Sequence, residues 1–254
     1  MLKGLQGRTV LVTGAGGGIG AEACKRFLAE GCNVIAADIS SSILPELQGE
    51  RLVTVQCDVS KAADAFAAVA AADRFGGLDM AMLNAGVECR AASVADFDEA
   101  EYQRVFNVNV LGSFLTAQAT VKHLLVNQRR GSIVFTASIA ALQGSPTTSI
   151  YNASKHAVLG LSRSLALEVA KNDIRVNTLC PGTVETRMIH ALEESMGAAA
   201  GLSRDQMREA MHAANPVGRH GSPEEIASMA AWILSDEAPY AHGEIFTIGG
   251  GLMA

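Results

Sequence analysis

The stretch YNASK, residues 151–155, sets a tyrosine and a lysine four apart in a segment whose apolar residues recur at helical spacing. Four residues make roughly one helical turn, so the two side chains leave the helix on the same face. A phenol beside an ammonium can be tuned for proton transfer. Free tyrosine titrates near about 10, and bringing it to roughly 7 to 8 takes about 3 to 4 kcal/mol of extra phenolate stabilisation, which adjacent positive charge can supply. Taken alone, the same pair also suits a solvated helix surface.

A second chemical feature is TGAGGGIG, residues 13–20, between an apolar β-branched run and a helix-like segment. Glycine lets the backbone approach a ligand closely, and the free N–H groups of a helix start can face a pyrophosphate. The spacing of Gly14, Gly18 and Gly20 is G-x-x-x-G-x-G, not the more general G-x-G-x-x-G. A tight strand-to-helix turn without ligand has the same composition. Asp38 ends the next apolar run, 18 residues after Gly20. A carboxylate there can accept hydrogen bonds from the adenosine ribose and repels a 2′-phosphate. Neither Ala37 nor Ile39 beside it is basic, so the site predicts NAD over NADP. Capping the turn in DISSS is the alternative task for Asp38.

These residues need elements to hold them. Short apolar runs recur at 9–15, 33–38, 52–59, 78–86, 132–138, 175–182 and 245–250. Their nearly continuous apolar character predicts strands buried on both faces, as in a parallel sheet. Segments 19–30, 61–75, 98–126, 150–171 and 223–235 carry helical spacing between them. The alternation predicts an α/β, doubly wound fold: a seven-stranded, mainly parallel sheet with helices on both faces. Ligands of such sheets bind beyond the carboxyl ends of the strands. Here those ends carry polar or backbone-permissive residues: the glycine loop, Asp38, Asp58, Asn84 to Gly86, Ser138, and Pro181 with Gly182.

Composition narrows the class. With 254 residues, 49% hydrophobic and 18% charged, the chain can build a large core, and no linker or repeat divides residues 1–254 into more than one domain. A net charge of −6 argues against a nucleic-acid partner. No apolar run resembles a membrane span or a secretory leader, which predicts a cytoplasmic protein. The five cysteines form no CxxC pair and the histidines no HExxH, so reduced thiols and no metal site are expected.

Together TGAGGGIG, Asp58-Val59, NAG at 84–86, Asn109, Ser138, YNASK and PGTVET at 181–186 resemble, in order and separation, the short-chain dehydrogenase/reductase family. The likeness runs from about residue 8 to the end. It implies a catalytic set of Asn109, Ser138, Tyr151 and Lys155. Tyr151 would exchange a proton with an alcohol or ketone, and Ser138 would orient the same oxygen. Lys155 would lower the phenol's pKa and hold the nicotinamide ribose, while Asn109 would hold a water in a proton relay. The resemblance also implies cofactor contacts from Gly14, Gly18, Ile19, Gly20, Asp38, Ile39, Asp58, Val59, Asn84, Ala85, Gly86, Pro181, Gly182, Val184 and Thr186, besides Tyr151 and Lys155. Three positions depart from the family pattern: Leu83, Ala137 and Gly249.

The expected activity is therefore NAD-dependent interconversion of a secondary alcohol and a ketone. The alternative is an NAD-binding sensor or scaffold of the same fold without turnover. By resemblance the segment at about 183–222 covers the substrate, and its Met188, Ile189, Leu192, Met196, Met207 and Met211 suit an adaptable apolar lining or simple helix packing. Glu88, Arg90 and His190 could meet a polar substrate or be solvated. The substrate expected is a small, largely apolar alcohol or ketone. The two long helices resemble those with which the family forms homotetramers.

Overall fold

The computed structural model describes every residue except 41, 42, 44–46 and 48. Seven strands, β1 Thr9–Thr13, β2 Asn33–Asp38, β3 Leu52–Gln56, β4 Met80–Leu83, β5 Gly131–Thr136, β6 Ile174–Pro181 and β7 Ile245–Ile248, form one sheet in the order β3-β2-β1-β4-β5-β6-β7. All six neighbouring pairs are parallel, so the sheet is wholly parallel where the sequence predicts mainly so. The chain winds outward from β1 to β3, then crosses back to place β4 on the other side of β1. That reversal opens a crevice at the carboxyl ends of β1 and β4.

Alternation along each strand sorts side chains into two layers. Leu11, Ile35, Ala81, Ile133 and Phe135 face α2 (Ala62–Ala70), α4 (Gly112–Val126) and α5 (Ser149–Val169), where Val69, Leu124 and Val158 pack. Val10, Val12, Val34, Met80 and Val134 face α1 (Gly18–Ala29) and α8 (Pro223–Leu234), where Phe27, Ala230 and Ile233 pack. Each buried Leu, Ile or Phe contributes roughly 1.5 to 3 kcal/mol of transfer free energy, which makes this sheet a stiff platform. All five cysteines are buried free thiols. No helix among the described residues is long and apolar enough to cross a membrane.

The expected single helix over 98–126 is interrupted. It divides into α3 (Glu99–Phe106), a π-helical turn Asn107–Leu111, and α4. The cause is tertiary. Asn109 Oδ1 accepts from the Val87 N–H at 2.8 Å, and its Nδ2 donates to the Val87 carbonyl and the Ser154 hydroxyl, each at 2.9 Å. The Ser113 hydroxyl, in turn, donates to the Asn109 carbonyl at 2.6 Å. A π-turn inside a helix often marks a functional site. The segment 183–222 supplies α6 (Arg187–Ala200) and α7 (Arg204–Ala214), started by Thr186 and by a Ser203–Gln206 capping box.

Candidate active site

A cleft of about 740 Å³ lies along the carboxyl edge of the sheet. Its walls include Gly14, Gly18, Ile19, Asp38, Asn84, Ala85, Gly86, Ser138, Tyr151, Lys155, Pro181, Gly182, Val184 and Thr186, so most of the residues named from sequence meet in one place. Five do not line it. Gly20 and Asn109 stand behind it as supports. Ile39 is exposed at 68% beyond its walls. Val59 is buried against Gly112, and Asp58 accepts from the Ser60 hydroxyl at 2.6 Å and pairs with Lys61 at the start of α2. Those contacts hold the Asp58 carboxyl below its ordinary pKa.

The glycine loop is shaped for close approach. Gly14 adopts φ +67°, and a Cβ there would sit 2.9 Å from the Ala85 Cα. A Cβ on Gly20 would fall 2.1 Å from the Gly14 carbonyl oxygen. Gly20→Ala is therefore expected to lower stability by at least about 2 kcal/mol and to disrupt the loop. Thermal melting and a dinucleotide titration check both effects, and an unchanged melting temperature would contradict the packing argument. Gly17, which precedes α1, supplies no side-chain cap, so the first N–H groups of the helix remain available to an anion. Asp38 Oδ2 accepts from the Gly16 N–H at 2.9 Å, and Oδ1 from the Ser40 N–H at 2.9 Å. The carboxylate keeps further acceptor sites for ribose hydroxyls.

Opposite the loop stands the start of α6. Thr186 Cγ2 lies 2.8 Å from where a Cβ on Gly18 would be, and Arg187 Nη2 donates to the Gly16 carbonyl at 3.3 Å. Two helix N-termini and a guanidinium thus converge on one loop, an arrangement that favours a bound anion. Arg187 was not among the residues named from sequence, because a lone arginine at a loop-helix junction reads as solvated. Thr13 was also missed. Its hydroxyl accepts from the N–H groups of Asn84 and Ala85 at 3.0 and 3.1 Å, tying the end of β4 to β1.

Ser138, Tyr151 and Lys155 lie at the other end. Lys155 is 4% exposed, its Nζ donates to the Thr136 carbonyl at 3.1 Å, and it stands 5.7 Å from the Tyr151 ring centroid. A Cβ on Gly86 would lie 3.3 Å from both Lys155 Nζ and Asn109 Oδ1, so a glycine keeps this corner open. Ser138 caps the turn before Ala140, accepting its N–H at 3.1 Å. The expectation of a readily ionised Tyr151 is corrected for the polypeptide alone. Burial pushes the phenol up to about 12, and the Ser138 contact recovers only part of that rise. Burial also lowers Lys155 to about 8. The amide of Asn109 already donates both hydrogens to protein partners, so its first task is to fasten Val87 and α5.

The family model described as enoyl-(acyl carrier protein) reductase matches residues 14–253. A 2,5-dichloro-2,5-cyclohexadiene-1,4-diol dehydrogenase of Sphingobium indicum is 35% identical over 257 residues, covering 100% of both chains. The chain belongs to the short-chain dehydrogenase/reductase family. This places it among NAD(P)-dependent oxidoreductases of small molecules. Among solved members, levodione reductase superposes with a TM-score of 0.89 at 32% identity, covering 97% of each chain. A 3-ketoacyl-(acyl-carrier-protein) reductase from Brucella melitensis, complexed with NADH, gives 0.88 at 29% identity, covering 98% of this chain and 100% of that one.

Within that family the departures have physical readings. Leu83 and Ala137 are buried core residues at strand ends. Gly249 approaches Gly182 so closely that a Cβ on Gly182 would meet the Gly249 Cα at 2.8 Å. The cleft's far wall is apolar, with Ile139, Pro146, Met188, Leu192, Met196 and Met211. Met207 is buried outside those walls. Arg90 and His190, two polar candidates from sequence, are committed elsewhere: Arg90 to the Asp96 carbonyl and the Phe97 ring, His190 to Glu185 at 2.5 Å. A buried pair fixes α6 over the cleft. Glu193 and His220, 0% and 4% exposed, meet at 3.0 Å, and His220 continues to the Thr183 hydroxyl at 2.8 Å.

Proposed function

We propose that this protein is an NAD-dependent dehydrogenase/reductase that interconverts a small, largely apolar secondary alcohol and its ketone, with Tyr151 as general acid and base. The observation that carries the reading is the buried Lys155 ammonium, held by the Thr136 carbonyl beside Tyr151, at the end of a cleft that starts in the glycine loop. A cation at 4% exposure with no carboxylate partner among the described residues is expensive, and a catalytic phenol gives it a use.

The residues present fit a dinucleotide. The glycine cradle and uncapped α1 start would take the pyrophosphate, Asp38 the adenosine ribose, Lys155 the nicotinamide ribose, and Val184 with Thr186 the carboxamide. When bound, the nicotinamide ring supplies a hydride acceptor or donor. Tyr151 moves the proton at the substrate oxygen while Ser138 orients that oxygen. Asn109 holds the backbone at Val87 and contributes an acceptor to a relay behind Lys155. The α6–α7 segment covers the substrate, and its methionines exclude water.

Cofactor preference rests on Asp38. Asp38→Asn retains one acceptor for the Gly16 N–H but removes the charge that repels a 2′-phosphate. Discrimination between NAD and NADP is expected to fall by roughly tenfold or more. Fluorescence titration of both reduced cofactors checks this; wild type favouring NADP would refute the assignment. The activity itself is tested by following reduced-nicotinamide absorbance across a panel of cyclic and linear secondary alcohols and ketones. Tight NAD binding without turnover of any of them would favour a silent binder.

A further inference from the structure

Among the described residues the cleft walls carry two carboxylates. Asp38 belongs to the glycine-loop end and is engaged by backbone N–H groups. Glu88 belongs to the catalytic end, just after the NAG turn, and is half-buried. Among the described residues no hydrogen bond or ion pair holds its carboxylate. The cations nearby are turned to other tasks: Arg104 grips Glu101 at 2.9 Å and the backbone carbonyl of Glu88 at 2.6 Å, and Arg90 takes the Asp96 carbonyl. Lys155 is bound to Thr136 and Arg187 to Gly16.

A carboxylate on the wall of a largely apolar cleft, with no protein donor among the described residues, is an open acceptor for a ligand's hydroxyl. It also works against the proposed chemistry, since Glu88, with Cys89 and Cys180, raises the Tyr151 pKa. A donor brought by the ligand would satisfy that acceptor and temper its charge beside Tyr151. The reacting oxygen itself belongs to Tyr151 and Ser138, so the donor must be a second group on the substrate.

We infer that Glu88 is a specificity residue that accepts a hydrogen bond from a second hydroxyl of the substrate. The cleft then favours uncharged diols and hydroxyketones on an apolar skeleton and rejects carboxylates. This inference rests on the oxidoreductase reading, but its test separates the two.

Binding is measured by calorimetry in the Tyr151→Phe protein saturated with NAD⁺, using cyclohexanol, the three cyclohexanediols and 3-hydroxycyclohexanecarboxylate. With Glu88 intact, the best diol is expected to bind roughly tenfold or more tighter than cyclohexanol, and the carboxylate weakest. Adding Glu88→Ala should abolish the diol preference. Adding Glu88→Gln, which keeps an acceptor without charge, should retain part of it, and both should admit the carboxylate. In the otherwise wild-type enzyme, Glu88→Ala should also shift the alkaline rise of alcohol oxidation to lower pH, because the phenol loses a like charge. Loosened packing would not move that limb while Ser138, Lys155, Cys89 and Cys180 stay in place. A diol-to-cyclohexanol ratio unchanged by Glu88→Ala, or no diol preference at the start, overturns the inference. Failure of the wild type to oxidise any alcohol with either nicotinamide cofactor overturns the oxidoreductase reading instead.

Discussion

Tyr151→Phe is expected to lower kcat by about a thousandfold in both directions while NAD affinity stays within about threefold of wild type. The substitution removes one oxygen and keeps the ring, so the packing against Val87, Val105 and Ile150 survives. The direction of the Tyr151 shift adds a pH dependence. With the phenol pushed up to about 12 by burial, it is protonated at neutrality and suited to give its proton to a ketone. Taking a proton from an alcohol needs the phenolate. Ketone reduction should therefore be nearly flat between pH 6 and about 8, while alcohol oxidation rises with pH. The positive charge of the oxidised cofactor brings the phenol down again, so the oxidation limb should lie well below 12. Stopped-flow and steady-state rates in both directions test this. Full turnover in Tyr151→Phe would end the assignment, and oxidation that falls with rising pH would contradict the proton's proposed path.

The sheet was legible because its strands are covered on both faces. Val10 to Val12, Val34 to Ala37 and Ile133 to Phe135 are buried throughout, so they read as unbroken apolar runs. Strand ends were less legible. The run 78–86 yields only Met80–Leu83, because Asn84 and Ala85 leave the ladder to bond the Thr13 hydroxyl. The π-turn at Asn107–Leu111 had no local signal at all, since a distant backbone at Val87 and a side chain at Ser154 draw Asn109 out of register. Tyr151, Lys155 and Ser138 could be found because the first two sit one turn apart on a single helix and the third just past an apolar strand, both of which the local sequence displays. The His220–Glu193 pair could not, because 27 residues separate its members and no periodicity marks it. Asp58 carries a local task that its motif did not reveal. Its place in a recognisable motif points to the cofactor, and its carboxylate also accepts from Ser60 and pairs with Lys61 at the start of α2.

Lys155→Met should separate function from stability most sharply, because this ammonium is costly to the fold that holds it. Its Nζ has the Thr136 carbonyl as its hydrogen-bond partner and is 4% exposed. Burial lowers its pKa from 10.5 to about 8. A lysine with a depressed folded-state pKa binds fewer protons folded than unfolded between those two values, so stability rises with pH through that window. Below about 8 the penalty is fully present and amounts to about 3 kcal/mol. Methionine has a similar length and no charge. It removes the penalty but leaves the Thr136 carbonyl without this donor, which offsets about 1 to 2 kcal/mol. The net expectation is a protein about 1 to 2 kcal/mol more stable at pH 7, with the gain shrinking to nothing or reversing above about pH 10. Turnover should fall at least about a hundredfold, since the phenol loses its neighbouring cation and the nicotinamide ribose loses a donor. Melting curves at pH 7 and 10 beside steady-state rates decide it. A less stable variant at pH 7 would mean that Lys155 serves the fold, and the cation would then have no need of the chemistry at Tyr151 to explain its burial.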